Sequence, residues 1–275
     1  MFTYLNPKIR QKLIKSEKLI RINAQGQNID PELPAESGSL SLNIIGPIPL
    51  PLNIGNTKLQ VLWYAAVRTT ELYQVESLAN QLRETGEQNL FSKLASSMAV
   101  NSVLIVGDPH KSESPLVRVH SSCLTGDVFY SQRCECGPQL AHAMDRMNEE
   151  DNGGYLIYMA GHEGRGIGLW AKAATYLLQD EGENTYQANK SLGLDEDCRD
   201  FSDAAALLHY FVGERPIRLL TNNPKKVNDL KSFGLKHITP KKHLAGITQN
   251  NKEYLKAKRD WGHLIGDDEI ELLDK

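Results

Sequence analysis

The sequence has little that would place the protein in a membrane, outside the cell or on nucleic acid. No apolar run approaches the roughly 20 residues that a membrane-spanning helix needs. The N-terminus is basic but lacks the continuous apolar segment of a secretory signal, so we expect a cytoplasmic protein. A net charge of −3 gives no overall basic footprint for nucleic acid. The 275 residues, without visible repeats, suffice for one large domain or two smaller ones.

Cysteine is also scarce, but three of the four cysteines are close together, at Cys123, Cys134 and Cys136. In a chain without a secretory signal, this C-x10-C-x-C pattern favours a metal site over disulfides. Zinc is the first candidate, because it accepts sulfur ligands and needs no redox partner. Three protein ligands would leave a fourth position for water, whereas His120 as a fourth ligand would make the site structural. Three buried free thiols are the remaining alternative.

Hydrophobic periodicity predicts an α/β fold with a mixed sheet core and flanking helices. Residues 8–21 fit a basic amphipathic helix, and residues 24–39 are polar and rich in Pro, Gly and Ser, as linkers are. We therefore divide the chain into an N-terminal extension with linker, 1–39, and one domain, 40–275.

The domain itself shows strand signals first and an alternation of strands and helices later. The prolines at 46–55 predict an edge or extended segment. Two apolar runs, 103–106 and 115–120, flank a polar loop and predict a hairpin. The other predicted strands are 40–45, 59–66, 155–159 and 217–220. The predicted helices are 70–98 and those that begin near Pro138, Trp170, Asp203 and Pro224; in the second of these four, Trp170, Ala173, Ala174, Leu177 and Leu178 share a face.

Two turns between a strand and a helix carry residues suited to an anion. Gly161–Gly168 is a glycine-rich loop with Glu163 and Arg165, but it matches neither the P-loop nor the dinucleotide fingerprint, so a tight turn with a surface ion pair is the alternative. At residues 221–226, a capped helix N-terminus with two lysines is suited to phosphate, and an ordinary capped helix is the alternative.

The residues 195–200 form an acidic cluster around one arginine. Such clusters are often surface loops, but a carboxylate beside an arginine can also poise a base or hold a substrate.

Taken together, these motifs resemble the GTP cyclohydrolase II family. The resemblance is dense over residues 100–265 and loose over 40–70. The matching segments are RVHSSCLTGD (118–127), RCECGPQL (133–140), HEGRGIGL (162–169), LLQDEG (177–182), ANKSLGL (188–194), RDF (199–201), RLLTNNPKK (218–226), and NNKEYLKAK with WGHL within 250–264.

The resemblance implies roles for individual residues in metal binding, catalysis and GTP binding. Cys123, Cys134 and Cys136 match ligands of one zinc ion per chain. Asp197 matches a proton acceptor, Arg199 a nucleophile and Tyr176 a catalytic tyrosine. An arginine nucleophile would have to lose a strongly held proton. The implied GTP-binding positions are Arg118, Val119, His120, Ser121, Ser122, Gln139, Glu163, Gly164, Arg165, Thr185, Thr221 and Lys226.

The implied reaction is the first step of riboflavin biosynthesis. GTP, with Mg²⁺ on its triphosphate, is hydrolysed to 2,5-diamino-6-(5-phosphoribosylamino)pyrimidin-4-one, formate and pyrophosphate. A homodimer is expected, with neither nucleic acid nor membrane as a partner. Three features depart from the family pattern: Ser122 in place of glutamate, a less basic and longer segment at 159–162, and Cys198. A paralogue that stops at a formylated pyrimidine or uses another purine nucleotide, and a non-catalytic zinc-containing nucleotide-binding protein, are the alternatives.

Overall fold

The computed structural model describes residues 5–34, 38–54, 57–73 and 99–271. Nine strands in these ranges form one sheet in the order β2-β1-β3-β4-β5-β7-β6-β8-β9. The strands are β1 Leu19–Asn23, β2 Asn28–Ile29, β3 Ser41–Ile54, β4 Thr57–Arg68, β5 Asn101–Val106, β6 Leu116–Ser121, β7 Gly154–Met159, β8 Ile217–Leu220 and β9 Ile238–Lys241. Pairing is antiparallel from β2 to β7 and parallel from β7 to β9, which confirms the mixed α/β sheet.

Helices cover both faces of this sheet. They are α1 Pro7–Lys15, α2 Cys136–Glu149, α3 Leu169–Asp180, α4 Thr185–Ser191, α5 Ser202–Val212, α6 Pro224–Ser232, α7 Lys252–Asp260 and α8 Asp267–Glu271. The apolar α5 packs on one face, and Ala143, Met144 and Met147 of α2 pack on the other. No helix in the described ranges has the length and apolar character to cross a bilayer. Of the helix predicted at 70–98, residues 69–73 are helical, and 74–98 lie outside the described residues.

The helix predicted over residues 8–21 is correct only for its first part. It ends at Lys15, Glu17 has a positive φ of 55°, and the chain continues as β1. Ile20 and Ile22 are β-branched, and this favours a strand once the helix has ended. The buried Arg21 then donates to the carbonyls of Pro31 and Leu33, so it fixes part of the predicted linker. The division at residues 39 and 40 stays a prediction, but β1 pairs with β3 in the main sheet.

The proline-rich stretch of β3 lies at an edge, as predicted. Strand β1 covers only Ser41–Ile45, so residues 48–54, which include two of the three prolines, pair with β4 alone. The missing proline N–H groups therefore leave no gap in a second ladder.

The hairpin predicted from 103–106 and 115–120 is wrong. Strand β7 lies between β5 and β6 and is antiparallel to the first and parallel to the second. Residues 116–120 of β6 are all buried, which is typical of a central parallel strand rather than of a hairpin with one wet face.

The apolar face identified on α3 is not the face that this helix buries. This helix buries Lys172 and Thr175, whereas Trp170 is 91% exposed and Leu177 is 67% exposed. Periodicity identified the apolar stripe but not which stripe faces the protein, because the inward side of α3 lines a polar cleft.

We expect Ile22→Ala to lower the free energy of unfolding by about 2–4 kcal/mol, because it leaves a cavity in the main core. Urea denaturation measures this change. Ile9→Ala on α1, where Ile9 is 49% exposed, is the control and should change stability by less than about 0.5 kcal/mol. Equal effects of the two changes would mean that β1 is not part of the cooperative fold.

Candidate active site

A cleft opens where the parallel strands β6, β7 and β8 end. Ser122 and Cys123 follow β6, residues 160–166 follow β7, and Thr221 follows β8. The carboxyl ends of parallel strands are the usual place for ligands in open α/β sheets. The empty volume of the cleft is about 1110 Å³.

Most of the residues predicted from the sequence line this cleft. They are Arg118, His120, Ser121, Ser122, Cys123, Cys134, Cys136, Gln139, Glu163, Gly164, Arg165, Tyr176, Thr185, Arg199, Thr221 and Lys226. Two predicted residues do not line it. Val119 has a fully buried side chain, although its carbonyl accepts a hydrogen bond from Lys226 Nζ at 2.7 Å. Asp197 lies behind Arg199, with which it is paired.

The three clustered thiols meet at one end of the cleft. Their sulfur atoms lie within 4.8 Å of one another. The segment 124–128 closes around them, and a Cβ on Gly126 would stand 2.9 Å from Cys134 Sγ, so only glycine fits there. Lys172 Nζ donates to Cys123 Sγ at 3.2 Å and is paired with Glu163. Three soft sulfur ligands at this separation fit zinc.

The thiols also need positive charge to ionise together. Hydrogen bonds from Cys134 and Cys136 lower the pKa of Cys123, and its proximity to Lys172 adds to this effect. The same hydrogen bond with Cys123 raises the pKa of Cys134 to about 12 and that of Cys136 well above its ordinary value. One thiolate is thus stabilised at the expense of the other two, an imbalance that a divalent cation removes.

His120 is not part of this cluster. It is 1% exposed, its ring stacks on Tyr158, and its Nε2 lies 3.2 Å from the Asp127 carboxylate. Asp127 also accepts from the Cys123 backbone N–H at 3.0 Å. His120 therefore supports the loop that carries the first cysteine, and the described residues give no support to a four-ligand structural site.

Buried or half-buried cations line the remainder of the cleft. Arg118 donates to the Leu220 carbonyl and to Gln139 Oε1, both at 2.8 Å. Arg165 stacks on the Tyr186 ring at 3.6 Å, and neither of its Nη atoms has a hydrogen-bond partner. In the described ranges, neither of these arginines nor Lys226 has a carboxylate partner. Burial, and next the nearby Arg118 and Arg199, lower the pKa of Lys226, which marks a site of excess positive potential.

Asp197 and Arg199 form a bidentate ion pair at the wall of the cleft. The Arg199 Nε to Asp197 Oδ1 distance is 2.8 Å, and the Nη2 to Oδ2 distance is 2.6 Å. Although burial works to raise it, hydrogen bonding to Arg199 lowers the pKa of Asp197 to about 2. Burial likewise opposes the charge on Arg199, but Asp197 prevails and raises its pKa. The geometry therefore favours a charged guanidinium over a neutral, nucleophilic one.

Tyr176 lies at the thiol end of the cleft rather than in a packed core. Its hydroxyl is 3.0 Å from Thr125 Oγ1, which is 3.6 Å from Cys123 Sγ. The Arg133 guanidinium lies 4.4 Å from the centre of its ring.

One wall of the cleft was not predicted from the sequence. Tyr254 and Lys258 come from α7 and His263 from the residues after it. Lys258 is paired with Glu135, the residue between two of the cysteines. The segments that carry these residues were matched as motifs, but nothing in their local pattern indicates that they reach the cleft. Arg133, Glu135, His162, Lys172, Thr175, Gln179, Asn189, Asn222, Asn223, His243 and Ile265 are the other lining residues that were not predicted.

Known proteins are similar to this chain in sequence. The family model described as GTP cyclohydrolase II matches residues 83–240, more than half of the chain. GTP cyclohydrolase-2 of Vibrio vulnificus is 51% identical over 150 residues, which cover 54% of this chain and 74% of the relative. GTP cyclohydrolase-2 of Aliivibrio fischeri is 47% identical over 161 residues, 58% of this chain and 78% of the relative.

A plant protein is similar over a comparable length. A chloroplastic monofunctional riboflavin biosynthesis protein of Arabidopsis thaliana is 46% identical over 165 residues, 60% of this chain and 32% of the relative. The matched model and the bacterial relatives together decide the classification, and the chain belongs to the GTP cyclohydrolase II family, whose members are hydrolases.

Proposed function

We propose that this chain is a zinc-dependent enzyme that hydrolyses GTP to 2,5-diamino-6-(5-phosphoribosylamino)pyrimidin-4-one, formate and pyrophosphate, the first step of riboflavin biosynthesis. One observation carries the proposal: a cluster of three thiols faces the same cleft as three cations without carboxylate partners in the described ranges, the buried Arg118 and Lys226 and the half-buried Arg165. A ligand that satisfies both needs an anionic end and an end that reacts at a metal. GTP has both, and the cytoplasm, which contains GTP, is the compartment that we assign.

Cys123, Cys134 and Cys136 would hold the zinc ion. When bound, zinc supplies Lewis acidity that lowers the pKa of a water molecule and polarises an electrophilic carbon. The residues of the chain around it would hold the base. Tyr176 and Thr125 offer hydroxyl groups at this end, and Glu163 offers a carboxylate that already accepts from the Leu124 N–H at 2.6 Å. These groups suit the polar edge of guanine.

The opposite part of the cleft would hold the triphosphate. Lys226 lies in the first turn of α6, where the unpaired N–H groups of the helix add positive potential. Arg165 has two free Nη atoms, and Arg118 is close to Lys226. Mg²⁺ would enter on the nucleotide, since it binds through phosphate oxygens and few protein ligands.

We assign Arg199 an electrostatic role rather than the nucleophilic role that the resemblance implies. Its guanidinium is kept charged by Asp197, and a fixed cation stabilises the charge that develops when pyrophosphate leaves. Asp197, with a pKa of about 2, is a weak proton acceptor and a strong partner for Arg199.

Product analysis tests the proposal as a whole. The purified protein is incubated with GTP, Zn²⁺ and Mg²⁺, and formate, pyrophosphate and the pyrimidine are quantified. We expect equal amounts of all three. A formylated pyrimidine without free formate would instead indicate the paralogue, and tight GTP binding without turnover would indicate a non-catalytic protein.

We further propose that the active protein is a homodimer in which a second copy covers the exposed face of α3. Leu169, Trp170 and Leu177 expose 45%, 91% and 67% of their surfaces. A helical stripe of this kind on a soluble protein usually marks a contact surface.

We expect Cys136→Ser to abolish stoichiometric zinc binding and formate release, because a hydroxyl is a poor substitute for a thiolate ligand. Metal analysis of the purified protein measures the first effect. Cys198→Ser is the matched control, since Cys198 is exposed and outside the cluster, and it should keep one zinc per chain. Full zinc content in Cys136→Ser would place the metal elsewhere.

We expect Lys226→Ala to raise the KM for GTP about ten- to a hundredfold, because a buried charge-assisted contact to phosphate is lost. Initial rates at varied GTP concentrations measure it. The neighbouring Lys225 is paired with Asp229 outside the cleft, so Lys225→Ala should leave KM within about twofold of the original. An unchanged KM in Lys226→Ala would place the triphosphate elsewhere.

The same lysine predicts a pH dependence of GTP binding. The pKa of Lys226 is lowered in the free protein, so its ammonium group loses its proton at a lower pH than an ordinary lysine does. A bound triphosphate favours the protonated form, so binding takes up a proton above the lowered pKa. GTP affinity should therefore fall as pH rises toward about 10.5, and calorimetry in buffers of different ionisation enthalpy should detect the proton uptake. Lys226→Ala should remove it.

We expect Trp170→Glu to convert the dimer to a monomer in sedimentation velocity experiments, because it places a charge in the proposed contact. Ile9→Glu, at an exposed apolar residue on α1, should leave the dimer intact. A wild-type chain that sediments as a monomer at micromolar concentration would contradict the proposed assembly.

A further inference from the structure

His162 is a buried residue of the cleft wall, next to Glu163 of the glycine-rich segment. It is 5% exposed, and its ring packs edge-on against Phe201 with a centroid separation of 4.9 Å. Its Nε2 lies 2.9 Å from the Asp200 carbonyl oxygen, and its Nδ1 lies 3.1 Å from Ser121 Oγ. The ring therefore connects the loop after β7, the end of β6 and the loop that carries Arg199.

The partners of His162 determine where its proton resides. A carbonyl oxygen can only accept, so Nε2 carries the hydrogen. Burial lowers the pKa of His162 to about 4, so the ring is neutral near pH 7 and Nδ1 has no hydrogen. The Ser121 hydroxyl must then donate to Nδ1.

The direction of that hydrogen bond affects Arg199. Because the Ser121 hydrogen points to His162, the oxygen presents its lone pairs to Arg199 Nη1, which lies 3.3 Å away. Asp197 accepts from Nε and Nη2 of the same guanidinium. A guanidinium has five N–H groups, so three are engaged and two remain for a ligand.

We propose that His162 is a positioning residue that acts through Ser121 to hold the Arg199 guanidinium in the orientation that leaves two N–H groups for the phosphates of the substrate. Without His162, Ser121 Oγ can rotate its hydrogen toward Arg199 and stop accepting from it. Asp197 alone then holds the guanidinium from one side. This inference rests on the proposed function for its kinetic consequences but not for its hydrogen-bond geometry.

Kinetics of three variants test the role. His162→Leu removes the acceptor and the donor, and it should lower kcat about tenfold with a smaller change in KM, because the oriented guanidinium matters most as pyrophosphate leaves. His162→Gln offers an amide oxygen to Ser121 and an N–H to the carbonyl, so it should recover kcat to within about threefold of the wild type. Ser121→Ala should lower kcat by as much as His162→Leu does, or by more.

A double-mutant cycle separates positioning from general stability. In the Ser121→Ala background, His162→Leu should cost less than about twofold in kcat, because its route to Arg199 is already broken. The matched control is His209→Leu, since His209 Nε2 also lies 2.9 Å from a backbone carbonyl oxygen, that of Phe233, but outside the cleft; it should leave kcat unchanged. Full additivity of the two changes, or a His162→Leu kcat within twofold of the wild type, would overturn the proposal.

A spectroscopic measurement gives a readout that does not depend on turnover. Nitrogen-15 chemical shifts of labelled wild-type protein should show His162 with a protonated Nε2 and a bare Nδ1 between pH 6 and 9. A protonated Nδ1 overturns the inference even if GTP is hydrolysed. If GTP is not hydrolysed but this tautomer is found, the proposed function fails while the hydrogen-bond chain to Arg199 stands.

Discussion

Unpaired positive charge buried beside three thiols is the constraint on which the rest of the cleft depends. Burying a charge without a partner is costly, so such groups are held by whatever dipoles the backbone supplies. Arg118 uses the Leu220 carbonyl at the end of β8, and Lys226 uses the Val119 carbonyl of β6. The parallel part of the sheet thus does more than position loops. It provides carbonyl groups that accept hydrogen bonds from the cations without neutralising their charge. The positive potential therefore remains for an anionic ligand.

In the described ranges, three carboxylates at or just behind the cleft wall are each paired with a cation that lines it: Glu163 with Lys172, Glu135 with Lys258 and Asp197 with Arg199. Glu163 and Glu135 are each adjacent in sequence to residues that line the cleft, and Asp197 lies two residues before Arg199. The pairs therefore fix loop geometry at three points around the cleft. Because these carboxylates are already paired, they do not neutralise the remaining cations, which stay available to the ligand.

Much of the fold was predictable, and the failures have a common cause. Periodicity, capping and proline placement are local signals, and they were enough to predict β8, α5 and α6. The hairpin failed because β7, which is distant in sequence, lies between its two strands. The apolar stripe of α3 did not indicate which side is buried, because the buried Lys172 and Thr175 face a polar cleft. The cysteine motif predicted the cluster of three thiols, whereas His162, Lys258 and Tyr254 were missed because they reach the cleft only through tertiary contacts.

The wall formed by α7 has a consequence for how the protein is made. Lys258 reaches back to Glu135 across 123 residues of sequence. During synthesis the three thiols therefore leave the ribosome long before the helix that covers one side of their cleft, and domains assemble as the chain emerges. The side of the cleft that α7 covers therefore stays open to solvent until that helix has been made. The position of α7 in the sequence thus determines when this side of the cleft becomes enclosed.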